Sequence, residues 1–367
     1  MTYAPRSPLS TPRPAATTHP PVSVIMPVRN EERHLAEAVR SVLAQDYPAP
    51  IEVVLAVGPS KDATHQIADG LAATDPRVRV VPNPSGLIPC ANNAAIKASQ
   101  YPIIARVDGH AVLPPGYLQQ AVSTLRNTGA DDVGGVMAAE GVTPFERAVA
   151  WAMTSPWGVG RAKFHTGGEP GPADSVYLGV YRRATLEKVG GYDESYLRAE
   201  DWEMNHRIRL AGGLIYFQPG MRVTYRPRGS VRALASQYFH YGRWRRVVAR
   251  QHPHTINLRY LAPPAVALAI LLGLVSGALG LGVGIAGPWP AWRWLTAGLA
   301  IPALYLAGTA AVMTAALRSL PSGIAARLPV VLATMHIAWG LGFLTSPRDL
   351  MPARGGKDPR RRVPRQR

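Results

Sequence analysis

Three short segments, far apart in the chain, carry acidic, basic and amide side chains, and the first two directly follow apolar runs. The first contains Pro27, Val28, Arg29, Asn30 and Glu31; the second is Asp108-Gly109-His110, and the third is the acidic pair Glu200-Asp201. Together these residue types could hold a nucleotide at a strand edge, bind a cation at a diphosphate and deprotonate a hydroxyl. That combination is what transfer of a sugar from a nucleotide donor requires.

Asp108 and His110 flank a glycine after the apolar run 103–107. A carboxylate and an imidazole two positions apart can both reach one divalent cation, Mg²⁺ or Mn²⁺. Such an ion would bridge two phosphates and neutralise a leaving diphosphate. The simpler alternative is a turn, because Asp-Gly is a frequent turn dipeptide. The other two segments favour the metal site.

Glu200 and Asp201 stand at the predicted start of a helix. Acids in a first helical turn are often only partners of the helix dipole. A general base, however, needs a carboxylate held near the acceptor hydroxyl, and a helix start that opens into a cleft provides one. We therefore predict a base here, with Asp201 favoured over Glu200.

The elements that must position these residues alternate between strand and helix. Strands are predicted at 22–26, 51–57, 78–81 and 103–107, and helices at 31–43 (with Asn30 as N-cap), 62–73, 91–99, 184–189 and 200–210. This spacing indicates an α/β fold with a mostly parallel sheet, whose ligands bind at the carboxyl ends of the strands. Residues 144–175, rich in glycine and proline, are predicted to be an irregular surface excursion.

Basic charge is concentrated towards the C-terminal side of the chain. The net charge is +17, and residues 222–250 hold eight arginines and no acid. Such a block suits an anionic partner, either lipid headgroups or nucleic acid. The apolar segments that follow favour lipid and argue against nucleic acid. The mixture of Trp and Tyr with arginine in 231–250 predicts a helix in the membrane interface, with a solvated basic face on the catalytic domain as the alternative.

Three uncharged stretches follow, at 265–286, 295–317 and 328–344, each long enough to span a bilayer. Three crossings from a cytosolic catalytic domain would put the basic C-terminal segment outside, against the positive-inside rule. Either the third stretch is re-entrant, or an extra crossing lies within 273–287, or the tail disobeys the rule. The predicted organisation is a disordered leader (1–20), a catalytic domain (21–230), an interfacial segment (231–260), transmembrane helices (261–346) and a basic tail (347–367).

The single cysteine, Cys90, excludes an internal disulfide and any CxxC metal site. The sequence also lacks G-x-S-x-G and Walker A motifs, and its one G-x-G-x-x-G match, residues 282–287, lies at the end of the apolar stretch 265–286 and does not follow a predicted strand. Hydrolase and dinucleotide-binding interpretations therefore have no support.

In these segments the chain resembles glycosyltransferase family 2, which has the GT-A fold, and within it the membrane-bound enzymes of the succinoglycan-biosynthesis type. The matching stretches are 22–31, 60–62, 92–93, 106–110, 178–183, 190–193, 200–201 and 237–244. The resemblance implies that 27–31, with Asp62, Asn93, Arg106 and Asp108, line a nucleotide-sugar. It further implies that Asp108 and His110 hold the metal ion and that Asp201 is the base.

Two departures from the family pattern bear on substrate and product. The family usually has an acid near the end of the second strand, where this chain has Val57-Gly58, so uracil recognition is implied less firmly than sugar-diphosphate binding. A UDP-sugar is still the favoured donor. Processive members carry Q-x-x-R-W, whereas five residues separate Gln237 from Arg243-Trp244 here. This spacing favours addition of one sugar.

The predicted function is inverting transfer of a sugar to a lipid-linked saccharide or glycolipid, at the cytoplasmic face of the cell membrane, in envelope or exopolysaccharide assembly. Arg228, Gln237, Arg243 and Trp244 are the candidates for contact with the lipid phosphate, because they lie between the predicted base and the first span. One alternative is transfer onto polyprenyl phosphate. A non-enzyme alternative is a membrane anchor that binds a nucleotide-sugar or anionic lipid.

Overall fold

The computed structural model describes residues 19–286 and 293–350. All but the last two residues of the predicted leader, and most of the predicted basic tail, lie outside these ranges. The description below therefore concerns the catalytic domain and the apolar helices that follow it.

One eight-stranded sheet forms the centre of the catalytic domain, in the order β3-β2-β1-β4-β7-β5-β8-β6. Its first four strands are parallel, whereas β7 runs antiparallel to both β4 and β5. Large apolar clusters cover both faces of the sheet. The prediction of a mostly parallel α/β sheet is confirmed. The strands are β1 (Val22–Val28), β2 (Ile51–Val57), β3 (Val78–Pro82), β4 (Ile103–Arg106), β5 (Asp132–Ala139), β6 (Gly171–Pro172), β7 (Tyr177–Arg182) and β8 (Ile215–Tyr225).

Nine helices belong to the described part of the catalytic domain. They are α1 (Leu35–Leu43), α2 (Thr64–Thr74), α3 (Ile88–Ala98), α4 (Tyr117–Thr128), α5 (Pro144–Met153), α6 (Pro156–Val159), α7 (Lys163–Thr166), α8 (Arg183–Val189) and α9 (Glu200–Leu210). The first helix begins four residues later than predicted, and Asn30 is not its N-cap. Asn30 has φ 55°, in the left-handed region, whereas an N-cap residue has an extended backbone.

Residues 144–175 are not the irregular excursion that their glycines and prolines suggested. Helix α5 occupies the first ten of them, and its start carries a capping box. The Thr143 side chain accepts a hydrogen bond from the backbone N–H of Glu146, whose carboxylate accepts one from the N–H of Thr143. The pattern T-x-x-E, with Pro144 at the first helical position, was the available signal.

In the described part of the C-terminal third there are six further α-helices: α10 (Val231–Gln251), α11 (Leu258–Ala286), α12 (Arg293–Thr296), α13 (Ala300–Ala316), α14 (Ser322–Ala325) and α15 (Leu328–Leu344). Three stretches are long and apolar enough to cross a membrane, namely Leu258–Gly282, Trp294–Ala316 and Ser322–Leu344. Helix α11 begins seven residues earlier than predicted and runs through Pro263 and Pro264.

Helix α10 differs from the predicted interfacial helix in where its aromatic side chains lie. Tyr238 and Trp244 are buried inside the protein, and only Tyr241 among the large aromatics of the helix is classed as exposed. Trp244 packs on Tyr196 of the catalytic domain, and Tyr238 belongs to an apolar cluster shared with α15. These two rings therefore anchor the helix to the protein and do not reach lipid.

Candidate active site

A buried arginine connects two of the three predicted segments. Arg106, the last residue of β4, donates from Nη2 to Asp108 Oδ1 at 2.7 Å, and from Nη1 to Asp201 Oδ2. Its side chain is only 7% exposed. Two carboxylates thus flank one guanidinium, which compensates the cost of burying the charge. Parallel strands end at one edge of the sheet, and α9 delivers Asp201 to that same edge.

The start of α9 holds the two acidic side chains in an unusual backbone setting. Ala199, directly before the helix, has φ 62°, a conformation that non-glycine residues rarely adopt. Glu200 is buried, and burial, reinforced by the charge of Asp201, raises the pKa of Glu200 to about 7. Burial also raises the pKa of Asp201, although Arg106 acts in the opposite direction.

Asp201 is partly accessible, because its side chain is 29% exposed. Its Oδ1 atom is buried, near the Tyr192 hydroxyl, which lowers the pKa of Asp201. Arg106 holds the other oxygen, Oδ2, in place. A carboxylate that is oriented and partly exposed is suited to accept a proton.

The first segment forms a polar rim where β1, β2 and β3 end. Arg29 spans it, donating from Nε to the Pro59 carbonyl at 3.2 Å and from Nη1 to the Gly86 carbonyl at 3.4 Å. Asn30 Oδ1 accepts from the Lys61 N–H at 2.8 Å, and this bond fixes the left-handed turn. Pro27 and Val28 complete β1 beneath the rim.

His110 is connected to the first segment by Glu31. The Nδ1 atom of His110 lies 2.9 Å from Glu31 Oε1, and this hydrogen bond raises the pKa of His110. A histidine that ligates a metal through one ring nitrogen commonly gives the other to a carboxylate, so Nε2 is the atom available for an ion.

The donor set near His110 is small. Across residues 19–286 and 293–350, no three His, Cys, Asp or Glu side chains form a metal-binding group. Asp108 and His110 would therefore supply two ligands, and substrate oxygens the remainder. Mg²⁺ is usually bound in this way, through one or two protein ligands plus phosphate oxygens. The residues present fit a divalent cation that arrives with a diphosphate.

Two predicted nucleotide-binding residues use their side chains within the protein. Asp62 accepts from the Thr64 hydroxyl at 2.5 Å and stabilises the turn before α2. The Asn93 side chain donates to the Tyr192 carbonyl and accepts from the Tyr192 N–H, each at 2.9 Å, and it also donates to Glu194. These two residues shape the rim, and direct contact with a nucleotide stays a prediction.

The predicted acceptor residues fall in different environments. Arg228 is exposed and lies near enough to His110 to oppose its protonation. Gln237 donates to the hydroxyls of Tyr225 and Tyr241, at 2.8 and 2.9 Å. Arg243 is half-buried over the ring of Phe239, and Trp244 is buried. Arg228 is therefore the predicted acceptor residue placed beside the Asp108–His110 segment.

Asp132 is a buried acid that sequence reasoning missed. It begins β5, is fully buried, and has a pKa raised well above its ordinary value by burial and by the charge of Asp201. The available signal was an aspartate at the start of an apolar run, but Gly134 and Gly135 within that run weakened the strand pattern.

Comparison with known proteins identifies the family. The succinoglycan biosynthesis protein ExoA of Rhizobium meliloti (strain 1021) is 32% identical over 332 residues, which are 87% of this chain and 93% of ExoA. The chain belongs to glycosyltransferase family 2. The family model "Glycosyl transferase family 2" itself matches residues 23–190 of this glycosyltransferase.

Other relatives of this glycosyltransferase are more distant. A Methanococcus voltae protein named dolichyl N-acetyl-alpha-D-glucosaminyl phosphate 3-beta-D-2,3-diacetamido-2,3-dideoxy-beta-D-glucuronosyltransferase is 21% identical, over 70% of this chain and 82% of its own. The mannosyltransferase PcManGT of Pyrobaculum calidifontis, solved in complex with GDP-Man and Mn²⁺, is 19% identical, covers 91% of this chain and 89% of its own, and gives a TM-score of 0.52. The latter shows that the fold is GT-A.

Proposed function

We propose that this glycosyltransferase transfers one sugar, with inversion, from a nucleotide-diphosphate sugar to a lipid-linked saccharide or glycolipid. The observation that carries the proposal is the shared guanidinium of Arg106. It places the candidate metal ligand Asp108 and the candidate base Asp201 on either side of one buried cation. A transferase needs both functions within reach of one sugar, one at the diphosphate and the other at the acceptor.

Asp201, whose side chain is 29% exposed, takes the acceptor proton, while Arg106 orients its carboxylate. The acceptor oxygen then attacks the anomeric carbon on the face opposite the diphosphate. The bond from that carbon to the phosphate oxygen breaks, and its electron pair leaves with the nucleoside diphosphate. Asp108 and His110 would hold a divalent cation, Mg²⁺ or Mn²⁺, which would supply charge stabilisation for that leaving group.

The donor would lie along the rim formed by 27–31, with its diphosphate towards Asp108. A UDP-sugar is the proposed donor. A nucleotide-sugar and a divalent ion bound to PcManGT support this class of ligand. The acceptor side is proposed from Arg228, an exposed cation beside His110, which suits a lipid phosphate or diphosphate.

The names of the relatives support a role in the assembly of lipid-linked glycans. ExoA is a succinoglycan biosynthesis protein, and the Methanococcus voltae relative is named for a dolichyl-phosphate-linked substrate. We therefore propose a place in envelope or exopolysaccharide assembly, with the catalytic domain on the cytoplasmic face of the cell membrane. Transfer onto polyprenyl phosphate itself is the second candidate, because Arg228 would contact a bare phosphate equally well.

Replacement of Asp201 by Asn tests the mechanism. Turnover should fall by about 10²–10⁴-fold, because one catalytic proton acceptor is lost. Binding of the nucleotide, measured by calorimetry, should stay near that of the unsubstituted protein. Asp75→Asn, in an exposed ion pair with Arg77, is the matched control and should keep full activity. If Asp201→Asn retained more than about a tenth of the activity, another residue would be the base.

The product distinguishes the two acceptors. Membranes are incubated with labelled nucleotide-sugar, and the lipid extract is analysed. A lengthened lipid-linked glycan supports the main proposal, and a single sugar on a polyprenyl carrier supports the second. A protein that only binds would give no labelled lipid, and substitution of Asp108 or Asp201 would leave the cellular phenotype unchanged.

A further inference from the structure

We infer that α15 does not cross the membrane. It lies in the membrane interface on the catalytic domain's side, beside α10, and α11 and α13 are the crossings among the described residues. The inference rests on how α15 packs and is independent of the sugar and acceptor proposed above.

Helices α10 and α15 run side by side in the same direction. Near their starts, Leu234 and Tyr238 share an apolar cluster with Leu328 and Met335. In the middle, the backbones touch, since a Cβ on Gly242 would meet the Trp339 carbonyl.

The contact continues at the ends of both helices. The Ser346 hydroxyl donates to the Arg243 carbonyl at 3.0 Å. Arg250 donates to the carbonyls of Ser346 and Pro347, at 2.7 and 2.8 Å. The two helices therefore lie at the same depth relative to the membrane from start to end, so the medium around one helix also surrounds the other.

Helix α10 cannot lie in hydrocarbon. It carries five arginines, and those at its two ends, Arg232 and Arg250, are exposed. Arginine within the bilayer core is costly, and it is tolerated mainly where it faces a polar cavity or a partner. Four of the five lie between Arg243 and Arg250, so a membrane-spanning α10 would carry these charges within its C-terminal half. Because α15 follows α10 throughout, α15 cannot cross there either.

The other neighbours of α15 agree with this placement. His336 Nε2 lies 2.8 Å from the Trp157 carbonyl of α6, and Met335 packs with Val149 and Met153 of α5. In an apolar 18-residue window of the candidate span that contains α15, 39% of the residues are buried inside the protein, against 22% and 17% in the other two. The catalytic domain covers part of this helix. The rest packs on α11 and α13, where a Cβ on Gly340 would meet Pro263 and Ala267 and His336 Nδ1 lies 3.0 Å from the Tyr305 hydroxyl.

The apolar surface that α15 still exposes suits an interface. Val330, Leu341 and Leu344 remain 53%, 39% and 46% exposed, between the exposed Arg327 before α15 and the exposed Arg348 after it. An apolar strip flanked by cations matches the boundary between hydrocarbon and anionic headgroups. With two crossings, the basic residues after α15 stay on the side of the catalytic domain, in agreement with the positive-inside rule.

Cysteine labelling of the full-length chain tests the inference. In a background with Cys90→Ser, single cysteines are placed at exposed sites and treated with a membrane-impermeant maleimide, in intact cells and in inverted vesicles. Asn127→Cys reports the side of the catalytic domain, and Trp294→Cys reports the far ends of α11 and α13. Ser319→Cys and Arg348→Cys report the chain before and after α15.

The maleimide should label Arg348→Cys from the same side of the membrane as Asn127→Cys and Ser319→Cys, and only at background level from the other side. Trp294→Cys should label from that other side. Labelling of Arg348→Cys together with Trp294→Cys would show that α15 crosses and would overturn the inference. Thr345→Cys, at the exposed residue directly after α15, repeats the measurement, so a local disturbance at Arg348 does not decide the result.

Discussion

At the scale of single residues, the site depends on carboxylates that are difficult to ionise. Glu200 is buried beside Asp201, and burial raises the pKa of both carboxyls. A base must be deprotonated to act, so a raised pKa moves the acid limb of the pH profile upward. Because burial raises the pKa of Asp201, we expect kcat/KM to fall with decreasing pH already above the range of an ordinary aspartate.

Tyr192→Phe should move this limb to higher pH, because the Tyr192 hydroxyl lowers the pKa of Asp201 and its loss makes the carboxylate harder to form. The measurement is kcat/KM between about pH 5 and pH 9 for both proteins at constant ionic strength. An acid limb at the same pH in the variant would show that a group other than Asp201 controls the reaction.

At the scale of elements, the left-handed Ala199 fixes where α9 begins. This conformation costs an alanine about 1–2 kcal/mol, and glycine avoids the cost. Ala199→Gly should therefore raise the thermal midpoint while lowering kcat, because Asp201 is held less firmly. Ala211→Gly, at the other end of α9 with φ −76°, is the matched control and should lower the midpoint. A shift of both variants in the same direction would contradict the strain argument.

Elements were predictable where local signals set both of their ends. Helices α9 and α15 have the predicted bounds, 200–210 and 328–344, the first between an acidic start and a Gly-Gly stop. Strand β5 was not predicted, because Gly134 and Gly135 weaken its local pattern. In the structure the backbone of Met221 approaches Gly135 so closely that no side chain fits, a constraint set by distant strands. The site was also only partly predictable: the sequence identifies Arg106 and Asp201 as candidates, but their contact depends on the folding of distant segments.

At the scale of the whole molecule, the α10–α15 contact joins the catalytic domain to the apolar helices. A Cβ on Gly342 would meet the backbone of Phe239, so Gly342→Leu should push the helices apart. We expect a loss of stability of about 1–3 kcal/mol, measured by thermal unfolding in detergent, together with reduced activity. Gly308→Leu, on α13 with open space around it, should change neither. Equal effects of the two substitutions would show that bulk in any apolar helix is harmful.

Helix α15 covers apolar side chains of α5 and α10, and this affects how the chain folds during synthesis. The ribosome releases α5 and α10 first, and α15 emerges only after both crossings have been synthesised. Until then Met153, Leu234 and Tyr238 lack the helix that buries them. The nascent chain must therefore be protected by a chaperone or by the lipid surface during this interval. A fragment that ends before α15 would keep that face uncovered permanently, so production of the catalytic half alone requires a substitute for this last helix.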